Sequence, residues 1–454
     1  MNDELYIIDK NRLKNGGVCM LLNVRLGNIY SFDEITEFTL IPGRGQRHKD
    51  HIHTKGKHEA LKFTALYGAN ASGKSNFIRA IQVARAFILG QSDHLHTYEA
   101  YNKSLRDGAE RETVFEFDFV IDEVAYSYGF ALYISKKKII REWLYAVETK
   151  EDKIYTRELR DELFHLDWNK KWFTERVDQQ RMHIYDIDMA QMTNRLFLYE
   201  VNRHVTNFME NNPILHKIYS FFENIEIITP HTEPKRSGFL HVSPKKSQQL
   251  AQFLQDCGTG IRGLTRENIT KHEFEREFPS EEVAHHLLQQ LEQEEGMCLL
   301  RTPRNLIEIK HDAEGISFSK VLFIHEMEGA AFTLGEESDG TVRLIELYDV
   351  IVNKKESIRF IDEIDRSLHP NLTYSFIERY IQEANGQLIV TTHEDRILEL
   401  DLLRRDEVWF VEKNEQGISK LFSLEEYKVR FDKNIWAAYL DGRYGGVPVL
   451  SRRQ

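Results

Sequence analysis

The octapeptide Gly68-Ala69-Asn70-Ala71-Ser72-Gly73-Lys74-Ser75 leaves a chain few ways to fold around it. It fits GxxxxGK[ST]; a β-rich run, ALKFTALY, precedes it and a helical pattern, NFIRAIQVARAFILG, follows. Strand, glycine-rich turn and helix in that order aim successive backbone N–H groups at one point, with the positive end of a helix behind them. The glycines let the backbone make the turn. Such a loop receives phosphate: Lys74 reaches the β- and γ-phosphates and the Ser75 hydroxyl can ligate Mg²⁺. Gly68, Asn70, Ala71, Ser72, Gly73, Lys74, Ser75 and Asn76 are therefore the predicted nucleotide contacts, with ATP and Mg²⁺ as cofactors.

A phosphate loop needs an acidic partner, and Ile358-Arg359-Phe360-Ile361-Asp362-Glu363 supplies an apolar strand ending in two carboxylates. Alone this would be an ordinary strand end. With the loop upstream, Asp362 is expected to hold Mg²⁺ through water and Glu363 to orient and activate the attacking water. The next apolar run, LIVTT, leads to His393, either a sensor of the γ-phosphate or a structural loop histidine. Lys74, Glu363 and His393 are the predicted catalytic residues. Asp365 and the turn Arg366 to Pro370 are expected beside the nucleotide near a dimer interface. The run Leu334 to Thr341 stands just before a helix, where Ser338 suits an N-cap. The functional alternative turns Ser338, Asp339 and Gly340 toward a γ-phosphate bound by the opposite subunit.

The remaining pattern gives an α/β fold of the P-loop NTPase kind: a mixed sheet core, an antiparallel β subdomain and a largely helical insertion. VCMLLNVRLGNIYSFDEITEFTLIP, ETVFEFDFVID, VAYSYGFALYIS and KIIREWLYAVETK alternate with period two and read as antiparallel strands. Helices are expected over DMAQMTNRLFLYEVNRHVTNFM, SPKKSQQLAQFLQDC and PSEEVAHHLLQQLEQEE. IRFIDEID and QLIVTTHED, joined by the helical NLTYSFIERYIQEANG, read as parallel strands of a βαβ unit. The expected division is 1–150 for the first part of the ATPase core, 151–330 for a mainly helical insertion and 331–454 for the second part of the core.

Composition removes several classes. The net charge is −12, from 60 basic and 72 acidic residues, so any nucleic-acid contact is confined to local patches. Cys19, Cys257 and Cys298 have no metal-ligand spacing, which fits buried thiols in a reducing compartment. A charged opening segment and the lack of an apolar run of roughly 18 residues point to the cytoplasm. His48, His51, His53 and His58 stand among Arg44, Arg47, Lys49, Lys55 and Lys57. This stretch is read as an exposed polar hairpin because no acidic or Cys partner completes a ligand set; a metal site or a nucleic-acid patch is the alternative. Arg304 to His311 has spacing allowed in some ribonucleases but lies on an alternating, strand-like run.

GANASGKSN, ESDGTVRL, FIDEIDRSLHP, VTTHE and the tail YLDGRYGGVP together resemble one family, the stand-alone ABC-type AAA-family ATPases of prokaryotic antiphage systems, including abortive-infection, Rlo-type and PARIS-type ATPases. The matches are dense at 60–80 and after 334, and loose between 150 and 330. ESDGT departs from the LSGGQ signature of transporter ATPases. The resemblance implies a dimer or higher oligomer with Ser338 acting in trans. It also implies a separately encoded effector, commonly a nuclease, and a phage-derived trigger. The competing reading is a RecF- or SMC-like DNA-repair or chromosome-maintenance ATPase, favoured by the long interval between Ser75 and Ser338 and disfavoured by the lack of sustained heptads. A transporter subunit fits the long insertion poorly, and an anticodon nuclease with its own toxin domain would need more chain after His393.

Overall fold

The computed structural model describes residues 19–427 apart from 93–96, 204–206, 231–239, 242–243, 279, 281–283, 286–287, 289–295, 303, 313–314, 326–329 and 353–356, together with residue 435. The tail YLDGRYGGVP and most of PSEEVAHHLLQQLEQEE lie outside the described residues. The chain divides into two compact units. The first comprises residues 1–228, 355–364 and 385–454; the second comprises 229–354 and 365–384. Among the described residues no helix is long and apolar enough to cross a membrane.

The first unit holds the phosphate loop between two sheets. One is a six-stranded sheet in the order Ile225–Ile228, Ile358–Ile361, Gln387–Thr391, Phe63–Tyr67, Val408–Lys413, Ser419–Ser423. All neighbours in it are parallel except the last pair. The Phe63–Tyr67 and Gln387–Thr391 strands are buried at every residue, as strands covered on both faces must be. The other is a seven-stranded antiparallel sheet built from the alternating segments together with Glu151–Arg160 and Leu163–Trp168, two strands that fall in the region expected to be mainly helical. On its Thr113–Ile121 strand Phe115, Phe117 and Phe119 are buried on one face. Glu116 and Asp118 occupy the other face, where Arg25 Nη1 meets them at 2.5 and 2.9 Å.

Between the sheets runs the helix Lys74–Ile88, burying Phe77, Ile78, Ile81, Ala84 and Ile88 in one core with Phe117 and Phe130 of the antiparallel sheet and Leu66, Phe360 and Ile389 of the parallel one. Gln387 crosslinks the layers. Its amide donates to Leu21 O at 3.0 Å and Leu61 O at 3.1 Å and accepts from Leu21 N at 2.7 Å.

Two expectations change here. The helix expected over residues 188–209 is not continuous: a helix over Arg176–Asp188 ends where it should begin, 189–196 are not helical, and Phe197–Asn202 and Asn207–Asn211 are short separate helices. Two buried side chains from the antiparallel sheet take over the backbone groups a continuous helix would have satisfied itself. Arg157 donates to Met189 O (3.0 Å), Met192 O (2.5 Å) and Arg195 O (2.8 Å). Glu142 accepts from Phe197 N (2.6 Å) and Leu198 N (3.0 Å), the open amides of the next helix.

The His-rich stretch forms a hairpin, Ile52–Lys55 with His58–Leu61, but it is not a fully solvated tip. His51 is only 5% exposed and hydrogen-bonds Glu407. The interpretation of an exposed polar hairpin misses this burial because Glu407 is 356 residues away in sequence.

The second unit carries an antiparallel sheet, Leu240–His241, Gly296–Arg301, Leu306–Asp312, Gly315–His325 and Ile261–Ile269, with Ala331–Phe332 beside the Gly315–His325 strand. Its helices include Pro244–Asp256, Asp339–Val352 and Pro370–Glu383. Phe253 packs on Tyr348 with ring centroids 5.2 Å apart. Residues 151–330, expected to be mainly helical, thus hold strands as well as helices. The alternation in LIEIKHD and GISFSKVLFIH is that of strands.

Candidate functional site

Sequence places Gly68 to Ser75 at the carboxyl end of the Phe63–Tyr67 strand, and the parallel sheet brings two other strand ends beside it. Ile361 pairs with Val390, and Thr391 with Leu66, so the chain leaves these three strands at one level. This is where open α/β sheets bind ligands.

The loop is held by close contacts. A Cβ at Gly68 would sit 2.5 Å from Val411 O, and one at Gly73 would sit 2.3 Å from Ser419 Oγ. Gly73 has φ of +119° and Ala71 of +63°, the left-handed geometry that turns consecutive amides inward. Lys74 is buried at 5% exposure, its Nζ donating to Gly68 O at 2.7 Å and Ala69 O at 3.1 Å. Ser72 Oγ is buried without a hydrogen-bond partner in the protein, and no side chain caps the helix at Gly73. A helix start preceded by a loop with two left-handed residues, one ammonium and an orphaned hydroxyl fits a polyphosphate.

At the acidic strand end, Asp362 is 3% exposed. Its Oδ1 accepts from Ser75 Oγ at 3.1 Å and from Thr391 Oγ1 at 2.5 Å. A hydroxyl just after the loop and a carboxylate at the end of the strand two places across the sheet form the hard-oxygen pair that suits Mg²⁺. Glu363 has φ of +52°, a costly conformation for a non-glycine residue, and its N–H donates to Thr391 Oγ1 at 2.8 Å. Thr391 thus fixes both carboxylate residues. His393 follows on the exposed surface.

The family model described as "AAA domain, putative AbiEii toxin, Type IV TA system" matches residues 63–183 and 206–399. The chain belongs to that AAA-domain family. No curated protein matches this AAA domain. Among solved structures it is similar to one described as "Crystal structure of the SmcHead bound to the C-winged helix domain of ScpA". That match has 13% identity and a TM-score of 0.40, covering 89% of this chain and 97% of that one. It is also similar to "SMC head domain from Thermotoga maritima", with 12% identity, a TM-score of 0.32, and coverage of 89% and 98%. The AAA domain described here is an α/β P-loop fold with several sheets.

Of the residues singled out from sequence, Gly68 to Asn76, Asp362, Glu363 and His393 fall in the first unit, while Ser338, Asp339, Gly340 and Asp365 fall in the second. Ser338 caps its helix: its Oγ accepts from Thr341 N at 3.1 Å. Gly340 is packed so tightly that a Cβ would approach Ser367 O to 2.8 Å. Asp365 O accepts from Leu368 N at 3.1 Å in the turn before the Pro370–Glu383 helix.

Three residues of the loop site escape the sequence reading. Thr391 stands in the very run, LIVTT, that drew attention to His393, and a hydroxyl at a strand end was the available signal. Ser31 and Ser419 had none. Ser419 Oγ donates to Ser72 O at 2.5 Å and lies 2.8 Å from Ser31 Oγ, which accepts from Asn76 Nδ2 at 2.9 Å.

Proposed function

We propose that this AAA domain binds and hydrolyses ATP with Mg²⁺, and that two copies close head to tail around the nucleotide. In this reading Lys74 and the amides of residues 70–76 hold the β- and γ-phosphates, and Ser75 and Asp362 serve the Mg²⁺. Glu363 is the general base toward the attacking water, and His393 meets the γ-phosphate. Each copy lends its Ser338, Asp339 and Gly340 turn, with Asp365 nearby, to the nucleotide of the other. ATP joins the pair and ADP releases it. The observation that carries the reading is the convergence of Ser75 and Thr391 on one buried carboxylate, Asp362.

The biological output we propose is control of a separately encoded effector, a nuclease, in antiphage defence, with a phage component as trigger. The family description, which names a toxin of a toxin–antitoxin system, supports that direction. The test has two levels. Lys74→Ala should lose nucleotide binding, and Glu363→Gln should keep ATP bound and shift sedimentation to a dimer only when ATP is present. Absence of any nucleotide-dependent change in size would reject the head-to-tail pair. In cells carrying the native operon, both variants should lose protection against phage; unchanged protection with both would reject the ATP-gated defence role.

A further inference from the structure

The segment 43–51 lies away from the phosphate loop in sequence and carries chemistry that ATP binding does not use. His48, Asp50 and His51 each offer one ligand atom, and these atoms lie within 4.8 Å of one another. The imidazoles of His48 and His51 stand 4.8 Å apart, centroid to centroid, at 31°.

The second nitrogen of each ring is already committed, and in the manner of a metal site. His48 Nε2 bonds Leu400 O at 3.0 Å; a carbonyl only accepts, so that nitrogen carries the proton and Nδ1 keeps its lone pair. His51 Nδ1 meets both oxygens of Glu407, at 2.9 and 3.1 Å; with Nδ1 donating to the carboxylate, Nε2 keeps its lone pair. A metal-ligating histidine characteristically gives its other N–H to a carbonyl or a carboxylate, which orients the ring and raises its basicity. Here both histidines do so, on two partners distant in sequence.

The backbone bearing them is also fixed. Arg404, paired with Asp406 at 2.6 Å, donates to Arg47 O at 2.6 Å and Gly45 O at 3.4 Å, while Asp406 Oδ2 accepts from Gly43 N at 2.7 Å. A loop lashed at three points presents its ligands with little ordering cost.

We propose that His48, Asp50 and His51 form a three-ligand site for a first-row transition-metal dication of the zinc kind. Two imidazoles and one carboxylate select such an ion over Mg²⁺ or Ca²⁺, which prefer all-oxygen shells. Ligand distances of about 2.0–2.2 Å are reached by small rotations of side chains already within 4.8 Å of one another. The exposed side of Asp50 leaves a coordination position for water. The site differs from the Mg²⁺ pair Ser75 and Asp362 in residues and in ligand type.

The experiment is a Zn²⁺ titration of the full chain, stripped with a chelator, against a chromogenic competitor. Wild type should take up one tight equivalent. His48→Gln and Asp50→Asn should each weaken it at least tenfold with unchanged thermal melts, since neither side chain is core. Glu407→Gln should weaken it about 10- to 100-fold through the ring it orients. Ser75→Ala should leave it intact. Co²⁺ in place of Zn²⁺ should give a d–d absorption band that changes in His48→Gln. Failure of wild type to take up a tight equivalent overturns the proposal. So does an equivalent that His48→Gln and Asp50→Asn both retain at full affinity, or one that Ser75→Ala abolishes.

Discussion

Thr391 Oγ1 donates to Asp362 Oδ1 at 2.5 Å and accepts from the N–H of Glu363 at 2.8 Å. One hydroxyl at the end of one strand therefore sets the two carboxylate residues at the end of the next. Glu363 has φ of +52°, and the bond to Thr391 is one of the contacts that hold it there. Thr391→Val keeps the shape and removes the hydroxyl, leaving Glu363 N–H and one lone pair of Asp362 without that partner. ATP hydrolysis should fall about 10- to 100-fold, equivalent to roughly 1.4–2.7 kcal/mol of transition-state stabilisation, with nucleotide affinity changed by less than that. Steady-state hydrolysis beside fluorescent-nucleotide binding checks the split. Hydrolysis within twofold of wild type would remove Thr391 from the positioning role.

Ser419 supports the phosphate loop from the edge of the parallel sheet. Its hydroxyl donates to Ser72 O at 2.5 Å, and it stands where a Cβ on Gly73 would intrude. Ser419→Ala loses that bond, worth about 0.5–1.5 kcal/mol net, so nucleotide Kd should rise about 2- to 10-fold while the fold persists. Gly73→Ala should do far more, because both the positive φ and the 2.3 Å approach to Ser419 Oγ oppose a side chain. Titration of both variants with a fluorescent nucleotide orders them; equal affinities would refute the steric argument.

Glu142 is the polar hub of the first unit. It is 1% exposed and accepts from Tyr128 OH (3.1 Å), Tyr155 OH (2.9 Å), Phe197 N and Leu198 N. Burial pushes its carboxyl upward, and Arg157 and the two amides oppose this. A raised value means the folded state binds a proton more tightly than the unfolded chain, so this group favours folding most at low pH and less as pH rises through its folded value. Glu142→Gln puts an NH₂ where only acceptors are wanted. It should cost about 2–4 kcal/mol near neutral pH, read from urea unfolding. A loss under 0.5 kcal/mol would mean the hub is dispensable.

Much of the loop site was legible because its chemistry is written in short contiguous runs. GxxxxGK[ST] between a strand and a helix predicts itself, and IRFIDE supplies the acidic strand end. Period-two alternation likewise announced antiparallel strands, among them Thr113–Ile121. What stayed hidden depends on long-range partners. Nothing local says that Arg157 and Glu142 would interrupt the helix at 189–196, because the sequence there is helical by propensity and is overruled by tertiary bonds. The burial of His51 depends on Glu407, and the role of Ser419 depends on a strand pairing absent from its own segment.

Glu346, in the second unit, gives a pH test with the opposite sign. Burial alone would raise its carboxyl, but Arg301 and Arg343 outweigh burial and hold it below the ordinary value of 4.5. Arg343 Nη1 is 2.9 Å from Oε2, and Arg301 Nη1 pairs with Oε1. A depressed folded value means stability that is present in full above the unfolded value and is lost as pH falls through the folded one. Glu346→Gln should therefore destabilise by about 1.5–3 kcal/mol at neutral pH, where the ion pairs exist. The gap between variant and wild type should narrow as the pH is lowered from 4.5 downward. Hydrogen exchange along the Asp339–Val352 helix, measured for both proteins at each pH, reads the change where it arises. A gap of constant size across that window would assign the loss to packing rather than to the charge on Glu346.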